Sequence, residues 1–223
     1  AACAPGLEPL LAAGLTPLGA LDARAPAGGV AFRGHRRVLY RANLESGLAT
    51  HVLVRLARFG ADRFEALEAA LAALPWERWL LPGAARRGRA SAHKSRLHRT
   101  GAIAERAERA IAARLGDAPP DEEEGAVPIA LRLVRDEVRV SLDTSGAPLH
   151  RRGYRARSGP APLREDLARA LVMVSGWDRA SPLVDPLAGV GTIPIEAALY
   201  AAGRAPGAGR AFALAAGALP RAL

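Results

Sequence analysis

Cysteine is nearly missing from this chain: Cys3 stands alone among 223 residues. A single thiol excludes a disulfide framework and a thiolate metal cage. Long apolar runs are missing too, and none reaches the ~18 residues of a membrane span. No basic stretch followed by an apolar one opens the chain in the manner of a signal peptide. The expected setting is cytoplasmic. Lysine is almost absent as well, because of 31 basic residues only Lys94 is lysine. Arginine and alanine richness can follow genomic base composition, so the placement of charge says more than its type.

What is present suits a globular chain of one or two domains, with half its residues hydrophobic and 24% charged. The formal charge is +9 and the pI about 11.1. Arg86 to Arg114 holds nine basic and two acidic residues, and His150 to Arg169 holds six and two. The remainder is slightly acidic. Positive charge confined to two segments is the footprint expected for phosphate, and thus for nucleic acid. A pair of solvated basic surfaces is the other reading.

The most informative stretch runs Pro182-Leu183-Val184-Asp185-Pro186-Leu187-Ala188-Gly189-Val190-Gly191-Thr192-Ile193-Pro194-Ile195-Glu196. It reads as a strand ending at Leu183 and Val184, a glycine turn, and a helix start. Gly189 and Gly191 allow a tight turn and close approach of a ligand. Thr192 suits an N-cap, and Pro194 suits the first helical turn. Ile195, Leu199 and Ala202 would fall on one helical face. Such a turn presents amides and a positive dipole end to something polar or anionic. Pro194 stands where a dinucleotide fingerprint has its third glycine, and no Gly-Lys-Ser/Thr follows as in a P-loop.

Asp-Pro-x-x-Gly-x-Gly-Thr resembles the first cofactor motif of class I S-adenosylmethionine methyltransferases, in the form of the amino-methylating enzymes. Ile-Pro-Ile-Glu-Ala-Ala and Ala205-Pro206-Gly207 resemble one subfamily, the THUMP-domain methyltransferases of guanine N2 in 23S ribosomal RNA. Lys94-Ser95-Arg96-Leu97-His98 with Thr100, and Leu149-His150-Arg151-Arg152-Gly153-Tyr154-Arg155, resemble two further segments of that subfamily. The resemblance implies α+β ferredoxin-like and THUMP domains followed by the start of an α/β Rossmann-like methyltransferase domain. It implies S-adenosylmethionine as cofactor and ribosomal RNA as partner, in rRNA processing. Asp185, Gly189, Gly191 and Thr192 would hold the cofactor. Lys94, Arg96, His98, Arg151, Arg152 and Arg155 would contact RNA. Tyr154 with its flanking arginines could hold a base and backbone, or could form an interdomain clip with the ring packed and the arginines paired.

Along the chain, residues 1–60 read as a small ferredoxin-like layer. It has a helix at Gly6–Ala13, a strand after Gly28-Gly29, and a helix around Val38–Leu44. A strand at His51–Leu56 closes it. Asn43 and Glu45 read as solvated. Residues 61–143 read as the THUMP domain. Asp62 would cap a helix to Leu74, with Phe64, Leu67, Leu71 and Leu74 inward. Trp76 and Trp79 would follow on an extended piece. Arg86-Arg87-Gly88-Arg89 reads as a loop. The helix Gly101–Leu115 should bury Ile103, Ala107, Ile111 and Leu115. Pro128–Val134 and Val138–Leu142 should form a hairpin. Asp121–Glu124 reads as a solvated loop rather than a metal site, and no metal site is expected elsewhere. Residues 144–160 read as a linker and 161–223 as an incomplete methyltransferase domain. Its first helix, Pro162–Gly176, should turn Leu163, Leu167, Leu171 and Val174 inward.

Two pieces of such a methyltransferase are not found: an acidic residue ending a second strand, and an Asn/Asp-Pro-Pro-Tyr loop for the target base. The chain therefore reads as a fragment cut at both ends, without a catalytic residue and inactive alone. Two alternatives stay open. One is a non-catalytic THUMP-type RNA-binding module. The other is an amino-methyltransferase acting on tRNA or DNA.

Overall fold

The computed structural model describes residues 1–117, 126–155 and 162–213. The segments 121–124 and 158–160 read from the sequence lie outside them. The chain divides into two units, and the dividing line is not sequential. Ala1–Val52 joins Ala147–Arg210, while Leu53–Gly146 stands with the described residues from Ala211 on.

The second unit is built on a mixed four-stranded sheet. Its strands are β3 (Leu53–Gly60), β4 (Arg86–His93), β5 (Val127–Val134) and β6 (Glu137–Asp143), in the order β3-β6-β5-β4. Only the β4–β5 pair is parallel. A parallel pair needs a crossover, which α4 (Thr100–Leu115) supplies. The helix buries Ile103, Ala107, Ile111 and Leu115, the face its spacing predicts. Opposite it, Ile129, Leu131 and Leu133 of β5 alternate with outward residues, as do Val138, Val140 and Leu142 of β6. Each such side chain contributes roughly 1.5–3 kcal/mol on burial. Arg135 and Asp136, both at positive φ, turn β5 into β6 as a two-residue hairpin.

Three expectations for this unit change. Arg86–Arg89 is strand, not loop; its glycine marks where α4 crosses. A Cβ on Gly88 would lie 3.0 Å from Ala104 O, and the Gly88 amide donates to Glu108 Oε1 at 2.6 Å. Asp62 does not cap α3 (Phe64–Ala72), whose cap residue is Arg63; Asp62 takes Arg96 Nη1 at 2.6 Å instead. Trp76 sits in a short 3₁₀ turn, fully buried, and donates from Nε1 to Leu71 O at 2.8 Å. Residues 51–56 are also displaced: the strand begins at Leu53 and pairs with β6, so it serves this sheet.

The first unit opens with α1 (Glu8–Leu15), the antiparallel pair β1 (Leu21–Arg24) and β2 (Ala31–Arg33), and α2 (Arg36–Glu45). Glu8 accepts from the amides of Gly28 and Gly6 at 2.8 and 2.7 Å, and the Gly28 amide above all holds its carboxyl below the ordinary range. Asn43, expected in solvent, is buried and donates to Leu39 O at 3.0 Å. Glu45 is bridged by Arg41 at 2.7 Å. The same unit contains α5 (Glu165–Val174) and α6 (Thr192–Ala201). No described helix is long and apolar enough to cross a membrane.

Candidate cofactor turn

Asp185 to Glu196 forms a turn running into α6. Leu183 and Val184 are not in a strand, and Val184 is 82% exposed. A strand needs a neighbour for its amides and carbonyls, and none of the described residues supplies one here. From Asp185 the chain folds on itself. Asp185 Oδ1 accepts from Leu187 N at 3.0 Å, and Ala188 O accepts from Gly191 N at 2.7 Å. Gly189 and Gly191 lie at φ +53° and +79°, where a β-carbon is disfavoured. Gly191, not Thr192, is the cap residue of α6, in the left-handed region and without a side-chain cap. The first intrahelical bond runs from Ile195 N to Gly191 O at 3.0 Å. The amides of Thr192 and Ile193 precede that bond and have no acceptor within α6, and Pro194 has no amide.

Asp185 is half-buried, and its Oδ2 is shielded from solvent without a hydrogen-bond partner. A buried carboxylate oxygen in that state wants a donor. The residues thus fit a polar ligand that brings a hydroxyl or amine to Asp185 and an electron-rich edge to the two amides. Just upstream, Asp178 closes a tight turn by accepting from Ser181 N, Ala180 N and Ser181 Oγ at 2.7, 2.9 and 2.7 Å. Those donors pull its carboxyl down to about 2.

Behind the turn lies a polar cluster that the hydrophobic pattern concealed. Thr192 is 3% exposed, and Arg155 donates to its Oγ1 at 3.3 Å while its Nε pairs with Glu165 at 3.0 Å. One turn further, Glu196 is fully buried. Its Oε1 receives Arg152 Nε at 3.2 Å and Tyr154 OH at 3.1 Å; its Oε2 receives Arg169 Nε at 2.9 Å. Arg152 also donates to Leu149 O and Gly47 O at 3.1 and 2.7 Å. The Arg169 guanidinium lies over the Tyr200 ring at 4.8 Å. Burial, then the Glu196 charge, pushes the Tyr154 phenol well above its usual value, so it stays a donor. Burial pulls Arg169 down and Glu196 opposes that.

Both helices depart from expectation, with Leu167 and Leu199 half-buried. Helix α6 buries Thr192, Glu196 and Ala197, while Ile195 is 37% exposed. Helix α5 buries Glu165, Asp166, Ala168, Arg169, Ala170 and Val172, and Leu163, Leu171 and Val174 lie outward. Ion pairs lie on the buried faces of both helices: Arg155–Glu165, Arg164–Asp166 and Arg169–Glu196.

The expected RNA residues divide accordingly. Lys94 is exposed at φ +49° in the loop between β4 and α4. Arg96 is exposed but bridged to Asp62, and its amide donates to Asp136 Oδ1 at 2.7 Å. His98 is exposed with Nδ1 2.9 Å from Arg96 O. Arg151 is exposed. Arg152, expected at the RNA surface, is instead buried and paired with Glu196. Arg155 is largely turned inward too. On α4, Arg106, Arg109 and Arg114 pair with Glu68, Glu105 and Glu77 at 2.7, 2.7 and 2.6 Å. Glu196, Arg169 and Gly47 were not singled out from sequence. The four-residue spacing of Thr192 and Glu196 was the available sign; Gly47 offered none.

Residues 152–221 match the family described as RMKL-like, methyltransferase domain. Residues 1–53 match the RlmL ferredoxin-like domain. The chain is 40% identical over 216 residues to the ribosomal RNA large subunit methyltransferase K/L of Syntrophotalea carbinolica, covering 93% of this chain and 30% of that protein. It superimposes at a TM-score of 0.88 and 34% identity on a predicted N6-adenine-specific DNA methylase from Listeria monocytogenes, covering 97% of this chain and 58% of that one. SMU.472, solved in complex with SAH, gives 0.84 and 32%, with 96% and 58% covered. The chain thus spans about 30% of the length of that curated relative.

Proposed function

We propose that this chain contributes to an S-adenosylmethionine-dependent methyltransferase that modifies guanine N2 in 23S ribosomal RNA. The observation that carries the reading is the turn from Asp185 to Thr192, with two left-handed glycines opening a helix inside a segment similar to methyltransferase domains. Asp185 would bind the cofactor through Oδ2. Gly189 and Gly191 would let its backbone lie close, and the Thr192 and Ile193 amides would orient it. Thr192 would contribute its amide, while its hydroxyl accepts from Arg155 at 3.3 Å. The cofactor supplies an electrophilic sulfonium methyl. The chain's own share is orientation and a fixed polar surface, which lowers the entropic part of the barrier.

The second unit, with β3 added to residues 61–143, would act as a THUMP-type RNA-binding domain with Lys94, Arg96 and His98 on its loop. Arg151 would add a phosphate contact. The layer formed by residues 1–52, a connection at 144–160 and a methyltransferase part from 161 complete the proposed arrangement, in cytoplasmic rRNA processing. No Asn/Asp-Pro-Pro-Tyr segment occurs in the sequence, so this polypeptide alone should bind without turnover.

Calorimetry with S-adenosylhomocysteine tests the cofactor half. Transfer of labelled methyl to ribosomal RNA, tRNA and DNA tests the substrate half, using the chain alone and a longer protein containing it. Absence of cofactor binding in both proteins would defeat the enzyme reading in favour of an RNA-binding module. Preferred labelling of tRNA or DNA would transfer the reading to another amino-methyltransferase, and turnover by this chain alone would overturn its expected inactivity.

A further inference from the structure

We propose that Glu196 is the positioning residue of the cofactor turn, locking the start of α6 to three other segments of the same unit; this rests on the function proposed above. Apolar burial does little to set the rotation of α6. Ala197 is its one fully buried apolar residue, while Ile195 is 37% exposed and Leu199 half-buried. A single alanine cannot hold a helix against rotation. A carboxylate with both oxygens engaged from different directions can.

Arg152 and Tyr154 hold Oε1, and Arg169 of α5 holds Oε2. Arg152 is itself anchored on Leu149 O and Gly47 O. The arrangement reaches residues 1–52 through Gly47. A Cβ there would lie 2.8 Å from Arg169 Cγ, so the loop after α2 closes on the arginine stem without room for a side chain. Thr192 lies four residues before Glu196 on the same helical face. The helix is therefore gripped at two stacked points, with Arg155 on the upper one. The direction of the Thr192 and Ile193 amides follows from that grip.

A buried ion cluster is weak evidence of stability, because desolvation offsets the attraction and apolar replacements of similar volume often do as well. Orientation is what such a replacement loses. This separates a positioning role from a merely structural one. Two variants, Glu196→Gln and the triple Arg152→Met/Glu196→Leu/Arg169→Met, are compared with the native chain by three readouts: thermal midpoint, amide exchange at Gly191 and Ile195 without ligand, and S-adenosylhomocysteine affinity.

Glu196→Gln should speed exchange at both amides and weaken affinity about tenfold, within the range a small misplacement of binding groups can cause. The triple variant should recover the midpoint and recover neither exchange protection nor affinity. Native exchange and affinity in Glu196→Gln would overturn the proposal, as would a triple variant that regains both along with its midpoint. A native chain that binds no S-adenosylhomocysteine defeats the cofactor reading alone, and exchange at Gly191 and Ile195 then decides the positioning role.

Discussion

Replacing Gly191 by alanine isolates the conformational demand of the turn from its packing. The residue lies at φ +79°, and an added Cβ would meet Ile195 Cδ1 at 3.7 Å and Pro194 Cγ at 4.0 Å, ordinary contacts that need no rearrangement. The cost is therefore that of holding an L-residue in the left-handed region, roughly 1–2 kcal/mol. A smaller opposing effect comes from the stiffer unfolded chain, but it acts on global stability and not on the local choice of φ. The turn itself lies largely in solvent. It can thus relax to a right-handed form while α6 stays anchored at Glu196. A relaxed Gly191 displaces the turn from Asp185 to Gly191 relative to the anchored helix, so the binding-competent fraction falls. At 1–2 kcal/mol that is roughly a 5- to 30-fold loss of S-adenosylhomocysteine affinity. Asparagine tolerates the left-handed region better than alanine. The expected order of affinity is glycine, then Gly191→Asn, then Gly191→Ala, with far-UV circular dichroism unchanged across the series. Calorimetry reads the order. Equal affinities, or alanine above asparagine, would show that the left-handed turn is not what the ligand recognises.

Gly47→Ala forces Arg169 aside and should destabilise by about 1–3 kcal/mol in urea; the same change beside Arg169→Ala should cost much less, and additive costs in the double-mutant cycle would refute the contact. Lowering pH should weaken the second unit, because Arg58 and Arg139 hold the Glu137 carboxyl below its ordinary 4.5 and Arg114 does so for Glu77. A depressed carboxyl stabilises above its unfolded value and loses that contribution as pH falls through the lower folded value. Urea midpoints should accordingly drop below pH 4.5, with a shallower drop in a Glu77→Gln/Glu137→Gln variant. Lys94→Ala should weaken RNA binding uniformly across sequences and reduce the salt slope by about one; an unchanged slope would remove Lys94 from the RNA surface.

Where residues obeyed hydrophobic periodicity, the sequence reading and the structure agree, and where they did not, the reason is physical. Ile103, Ala107, Ile111 and Leu115 face inward because only apolar packing acts on that face of α4. The β5–β6 hairpin follows from strict alternation around a two-residue turn. Strand β4 was illegible because an edge strand carrying Arg86, Arg87 and Arg89 around a glycine resembles a basic loop until α4 is seen crossing it. The candidate site shows the same division more sharply. Its glycines were legible, since a positive φ leaves a direct mark on residue choice. Its supporting charges were not, because periodicity assumes that Leu goes inside and Glu outside. In α5 and α6 that assumption inverts: Arg152 and Arg169 neutralise Glu196 in the interior, and Leu171, Val174 and Ile195 are left at the surface. Pairing across 44 and 27 residues of sequence cannot be seen in a helical window. The glycine turn is thus a local feature while the charges packed behind it are non-local, which is why its residues could be named from the sequence and the residues behind it could not.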